Sequence, residues 1–122
     1  MPEDTKRPNI VFLFPDQFRA DFAGANGADW LETPNIDSIA ENGVRYTNSF
    51  SASPICVPAR TALLTGMNAV RNGVTGNLQN LRADWRDAGI RTWPEFLGDA
   101  GYYTAGIGKM HFYPWDGRRG FQ

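Results

Sequence analysis

One cysteine and one histidine are all that the 122 residues contain. A lone cysteine excludes an internal disulfide and any CxxC zinc or redox motif, and it fits a reducing compartment. Excess charge is missing as well. Twelve basic residues against thirteen acidic ones leave a formal charge of −1, so there is no electrostatic footprint for nucleic acid or an anionic membrane. Long hydrophobic runs are also absent. In the opening MPEDTKRPNIVFLF the apolar run covers only residues 10–14, and Glu3 and Asp4 stand where a signal peptide is basic. No stretch reaches the length of a membrane span. The expectation is a cytoplasmic chain with neither a nucleic-acid nor a membrane partner.

What is present is ordinary for a folded chain: 42% hydrophobic and 20% charged residues, with a length that suits one domain over residues 1–122. NIVFLF (9–14) is a short run of β-branched and aromatic residues and predicts a strand buried on both faces. TPNIDSIAENG predicts a helix with Thr33 as N-cap, Pro34 at the first position and Gly43 beyond the end. Its Ile36, Ile39 and Ala40 share one face and are expected to lie on a sheet. VRYTNSFS alternates Val44, Tyr46, Asn48 and Phe50 as a second strand. ARTALLTG predicts a helix closed by Gly66, and residues 68–88 read as a long irregular loop. TWPEFLGDAGY predicts a helix with a Thr92–Glu95 capping box, ended by Gly101, and YYTAGIG a third strand. The rhythm is that of an α/β protein with a mostly parallel sheet flanked by helices.

In such a sheet the ligand crevice lies beyond the carboxyl ends of the strands. Asp16 and Gln17 follow the first predicted strand, Cys56 the second, and Lys109 with His111 the third, so three sets of reactive side chains are expected at one edge. Cys56 opens a helix, where free backbone N–H groups and the dipole favour a thiolate or an anion. Arg60, one turn later, can reach back to the same point. With Lys109 and His111 nearby and Asp16 able to anchor a cation, this set favours a tetrahedral oxyanion and nucleophilic attack on a sulfate or phosphate ester.

Three ordered motifs then resemble the sulfatase family. CVPARTALLTG is similar to its Cys-x-Pro-x-Arg signature, GYYTAGIGKMH to its second signature, and RPNIVFLFPDQ to its opening strand and first metal ligand. ETPNIDSIAENGVRYTNSF also follows the family's usual text. The resemblance runs from about Arg7 to the C-terminus. It implies the N-terminal part of an alkaline-phosphatase-like α/β sulfatase domain, whose further metal ligands lie downstream. It also implies that a maturation enzyme converts Cys56 to formylglycine, the nucleophile. Arg60 would stabilise it, Lys109 would contact the sulfate, and His111 would hydrogen-bond the hydrated aldehyde. Asp16, Gln17 and an oxygen at position 56 would hold a divalent cation, calcium or else manganese.

Where most sulfatases carry a pair of aspartates after the first strand, this chain has Asp16 and Gln17. That resembles the phosphonate monoester hydrolase and choline-sulfatase-like branches. A phosphonate monoester or phosphodiester is therefore the alternative substrate class, and an inactive truncated product the alternative from outside catalysis. A partial sheet and a partial cation shell predict poor stability and no turnover for these residues alone. Arg71, Asn72 and Asn77 are expected in solvent, as are Arg118 and Arg119, and Phe112, Tyr113 and Trp115 are expected to pack.

Overall fold

The computed structural model describes residues 7–82, 84–113 and 117–122; Trp115 lies outside them. Contacts group the chain into two units, Met1–Thr47 and Asn48–Gln122.

In the first unit two 3-10 turns, Ala20–Phe22 and Gly24–Asn26, precede helix α1, Pro34–Asn42. Proline at the first position suits α1, because its missing N–H is one the helix cannot satisfy anyway. Thr33 does not cap α1 with its side chain. Its hydroxyl instead donates to the Asp37 carboxylate, with Oδ1 at 3.0 Å, and accepts the Gly24 N–H at 2.8 Å, while Asp37 Oδ1 also takes the Ala25 N–H at 2.7 Å. The start of α1 is thus tied to the second turn, so closely that a Cβ on Gly24 would stand 2.5 Å from Asp37 Oδ2. Arg45 fastens the same turn from the other side, donating to the Ala25 carbonyl at 2.6 Å and to Asn26 Oδ1 at 2.9 Å.

The second unit holds α2 (Cys56–Thr65), α3 (Ala69–Asn72) and α4 (Trp93–Asp99). Gly66 closes α2 in the left-handed conformation at φ 66°, as predicted, and α4 carries the Thr92–Glu95 capping box. The core is Val57, Val74, Leu81, Trp85 and Ile90, with Met67 and Tyr113 packed against it. Residues 68–88, read as an irregular loop, therefore supply three of the five core side chains. Their spacings of seven and four would suit a helical face, but beyond α3 the described residues of this segment form turns and irregular backbone. The C-terminal residues form a strap over α4. Thr92 Oγ1 donates to the Arg119 carbonyl at 2.7 Å, Thr104 Oγ1 to the Gly120 carbonyl at 2.9 Å, and the Gln122 N–H to the Thr104 carbonyl at 2.9 Å. Phe121 packs edge-on against Trp93 at 5.7 Å.

No β-strand occurs among the described residues, so the expected sheet is not formed by the three apolar runs. Residues 10–14 are exposed, Val11 by 81% and Leu13 by 72%, and Ile36 and Ile39 of α1 are exposed too. A doubly buried parallel strand needs hydrogen-bonded neighbours and helices over both faces. The composition of these runs is suited to that setting, whereas the described residues leave them in contact with water.

Candidate functional site

Cys56 occupies the first position of α2, after Ile55 in extended conformation (φ −111°, ψ 140°), and is half-buried. The Lys109 ammonium donates to its sulfur at 3.7 Å. Arg60, one helical turn along and 9% exposed, donates through Nη1 to the Lys109 carbonyl at 2.5 Å. The helix thus brings thiol and guanidinium to one side, and the guanidinium grips the backbone of the residue whose ammonium reaches the thiol. Cys56, Arg60 and Lys109 are brought together as the sequence predicts, although this bond of Arg60 is made to the segment facing the cysteine.

His111 follows two residues after Lys109 and has φ 56°, and its Nδ1 is withdrawn from solvent. Its ring stands 6.0 Å from that of Tyr113. Gln17 shares the left-handed backbone, at φ 52°. That region costs a non-glycine residue about 1–2 kcal/mol, and two of the residues singled out from sequence occupy it. Asp16 and Gln17 belong to the first unit, and Cys56, Arg60, Lys109 and His111 to the second.

The anion-binding capacity of the α2 start differs from the sequence expectation. The Val57 N–H is taken by Asn77 Oδ1 at 3.0 Å, Pro58 has no N–H, and the Ala59 N–H bonds the Ile55 carbonyl at 2.9 Å. With these donors engaged, the charged group that the described contacts place at Cys56 is the Lys109 ammonium. Asn77, expected in solvent, is therefore the cap of the helix that bears Cys56. Asn72 also leaves solvent: it is 3% exposed, donates to the Met67 carbonyl at 3.0 Å and accepts the Val74 N–H at 2.8 Å. Arg71 and Arg118 are exposed as expected. Phe112 is buried and Tyr113 packs on the core, whereas Arg119 is half-buried rather than solvated.

Among the described residues no three His, Cys, Asp or Glu side chains converge on a common point. Asp16 and Gln17 offer hard oxygen donors of the type calcium prefers, but calcium takes about six to eight. The donor set is incomplete on these residues, and no chemical step is derived through a cation. No helix among the described residues is long and apolar enough to cross a membrane.

An ammonium beside a helix-borne thiol is able to hold an anionic group against it. The sulfatase family model matches residues 8–122, and the chain belongs to the sulfatase family. It is 38% identical over 108 residues to an arylsulfatase of Clostridium perfringens, covering 88% of this chain and 22% of that protein. It is 35% identical over 118 residues to a choline-sulfatase of Rhizobium meliloti, covering 97% and 22%. Among solved structures, a Bacteroides fragilis protein assigned to the sulfatases superposes with a TM-score of 0.66 at 35% identity, covering 84% of this chain and 23% of that one. The chain spans about a fifth of the length of the curated relatives it matches.

Proposed function

We propose that this chain is the nucleophile-bearing, N-terminal part of a sulfuric ester hydrolase, and that Cys56 acts after conversion to formylglycine. The observation that carries this reading is the 3.7 Å approach of the Lys109 ammonium to Cys56 Sγ, at the head of a helix whose Arg60 holds the Lys109 carbonyl. Hydrated formylglycine supplies a diol where cysteine supplies a thiol, one hydroxyl to attack sulfur and a second to expel the sulfate. Cys56 sits where such a group is reachable, being half-buried at a helix start. Lys109 balances the charge of the sulfate and of the attacking oxygen, and Arg60 keeps Lys109 in place. His111, two residues on, is the group of this segment able to hold or move a proton on the diol. Asp16 and Gln17 contribute donors to a divalent cation, calcium or manganese, completed by ligands beyond these residues.

A phosphonate monoester or phosphodiester is the second reading, favoured by Gln17 where a carboxylate would otherwise stand. Both chemistries place a tetrahedral anion at the same ammonium.

The test is peptide mass spectrometry of the tryptic segment 46–60 after co-expression with a formylglycine-generating enzyme. Conversion at Cys56 is expected. An intact thiol, in cells that convert another sulfatase, overturns the reading in favour of an inactive product.

A further inference from the structure

Two guanidinium groups grip the segment that carries Lys109 and His111, one at each end. Arg60 donates to the Lys109 carbonyl at 2.5 Å, and Arg119 Nη2 donates to the Tyr113 carbonyl. Arg119 also donates to Asn80 Oδ1 at 2.6 Å. Its guanidinium carbon lies 5.4 Å from the ring centroid of Trp85, a core residue, so the far end of the segment is fastened to the core of this unit. Its backbone stands at φ 48°, a conformation that costs a non-glycine residue free energy. Burial, and after it repulsion from Arg86, draws its guanidinium down from the ordinary arginine value. Strain and desolvation at one residue are offset by the contacts its side chain makes. Those contacts lead to the backbone of the segment bearing Lys109.

We propose that Arg119 is a positioning residue which, by holding the Tyr113 carbonyl while Arg60 holds that of Lys109, fixes residues 109–113 so that the Lys109 ammonium stays against Cys56. The inference rests on the reading of Cys56 and Lys109 as the reactive pair. It assigns a role in that site to a side chain whose sequence setting, in DGRRGFQ, looks like solvated surface.

The chain permits a direct test, because Cys56 is its one thiol and Lys6 and Lys109 are its only lysines. o-Phthalaldehyde joins an amine and an adjacent thiol into a fluorescent isoindole, so its rate of formation reports the Cys56–Lys109 approach. The unmodified chain is expected to form the isoindole and Lys109→Met to lose it. Arg119→Gln is expected to form it about tenfold more slowly, since ångström-scale misplacement of reacting groups costs that much or more. Ile90→Val, which thins the core but removes none of these hydrogen bonds, is expected to leave the rate unchanged, with circular dichroism reporting the fold of each variant. If Arg119→Gln fails to fold, Asn80→Ala removes one anchor of the guanidinium while its bond to the Tyr113 carbonyl remains, and is expected to slow the reaction by a smaller factor. Unchanged rates in Arg119→Gln and Asn80→Ala, with the signal lost in Lys109→Met, overturn the positioning role alone. An equal slowing by Ile90→Val also overturns it, by showing a general loosening. A signal that survives Lys109→Met overturns both this role and the pairing on which the site reading stands.

Discussion

Gly120 holds the C-terminal strap where no other residue fits, and replacing it with alanine separates two physical costs. Its φ is +94°, so a side chain there meets the left-handed penalty of about 1–2 kcal/mol. A Cβ would also stand 2.7 Å from Glu95 Cγ, 2.8 Å from Glu95 N and 2.9 Å from Thr92 Oγ1. Glu95 is poorly placed to yield: its Oε2 accepts the Thr92 N–H at 2.9 Å and its Oε1 accepts from Arg86 Nε at 3.0 Å. The strap must lift instead, which breaks the bonds from Thr92 Oγ1 to the Arg119 carbonyl and from Thr104 Oγ1 to the Gly120 carbonyl, each worth about 1 kcal/mol. Gly120→Ala is therefore expected to cost about 3–4 kcal/mol, about 2 kcal/mol of it steric.

Gly89 provides the control. It too has a positive φ, +75°, but a Cβ built there meets nothing within 4 Å, so Gly89→Ala is expected to cost only the conformational part, about 1–2 kcal/mol. Urea unfolding of both variants, followed by tryptophan fluorescence, measures the difference. Equal losses at the two glycines refute the steric account of the strap.

Asn77→Ala leaves the Val57 N–H without its cap and is expected to cost about 1 kcal/mol of stability; Asn77→Ser, which retains an acceptor, recovers part of it in the same urea assay. Replacing exposed Val11 and Leu13 together with serine is expected to lower self-association in analytical ultracentrifugation, with stability changed by less than about 0.5 kcal/mol per site. Asp21 and Asp84 are held below the ordinary carboxylate value, chiefly by hydrogen bonds from Arg19 and Arg82. Folded values below the unfolded one mean that their contribution is present above about pH 4 and is lost as the pH falls through the lowered values. Both carboxylates are exposed, so the effect is small, and added salt should flatten the acid side of a melting-temperature profile.

Local chemistry was legible in the sequence, and long-range chemistry was not. Pro34, Gly66 and the Thr92–Glu95 box mark helix ends because each acts within four residues of itself, and the structure has helices at all three. The Cys56–Lys109 approach was also foreseen, because both residues lie in motifs that resemble one family's signatures. Val74, Leu81 and Trp85 stand at spacings of seven and four but among Asn, Gly and Arg residues that read as irregular, so their place in the core was hidden inside an apparent loop. Asn77 acts on a residue 20 positions away, and Arg119 bonds Asn80 across 39; polar side chains used at such separations look like surface. The apolar runs at 10–14 and 102–108 misled in the other direction. Binary pattern reports the setting a segment is suited to, whereas exposure reports the setting it has among these residues.

Charge matching at Cys56 bears on which esters an enzyme built on this site accepts. The first-turn donors of Val57 and Ala59 are engaged and Pro58 has none, so the cation described at the nucleophile is one ammonium, that of Lys109. A divalent cation, where bound with its own carboxylate ligands, is offset by them, which leaves the single ammonium to balance a single negative charge on the ester. Sulfate monoesters, phosphonate monoesters and phosphodiesters each carry one at neutral pH, while a phosphate monoester carries nearly two, its second pKa being about 6. The formylglycine- and cation-loaded enzyme is therefore expected to show higher kcat/KM for aryl sulfate and aryl phosphonate monoester than for the aryl phosphate monoester, with the gap narrowing below about pH 6 as the phosphate gains a proton. Preference for the phosphate monoester at neutral pH refutes charge matching by one ammonium as the basis of selection.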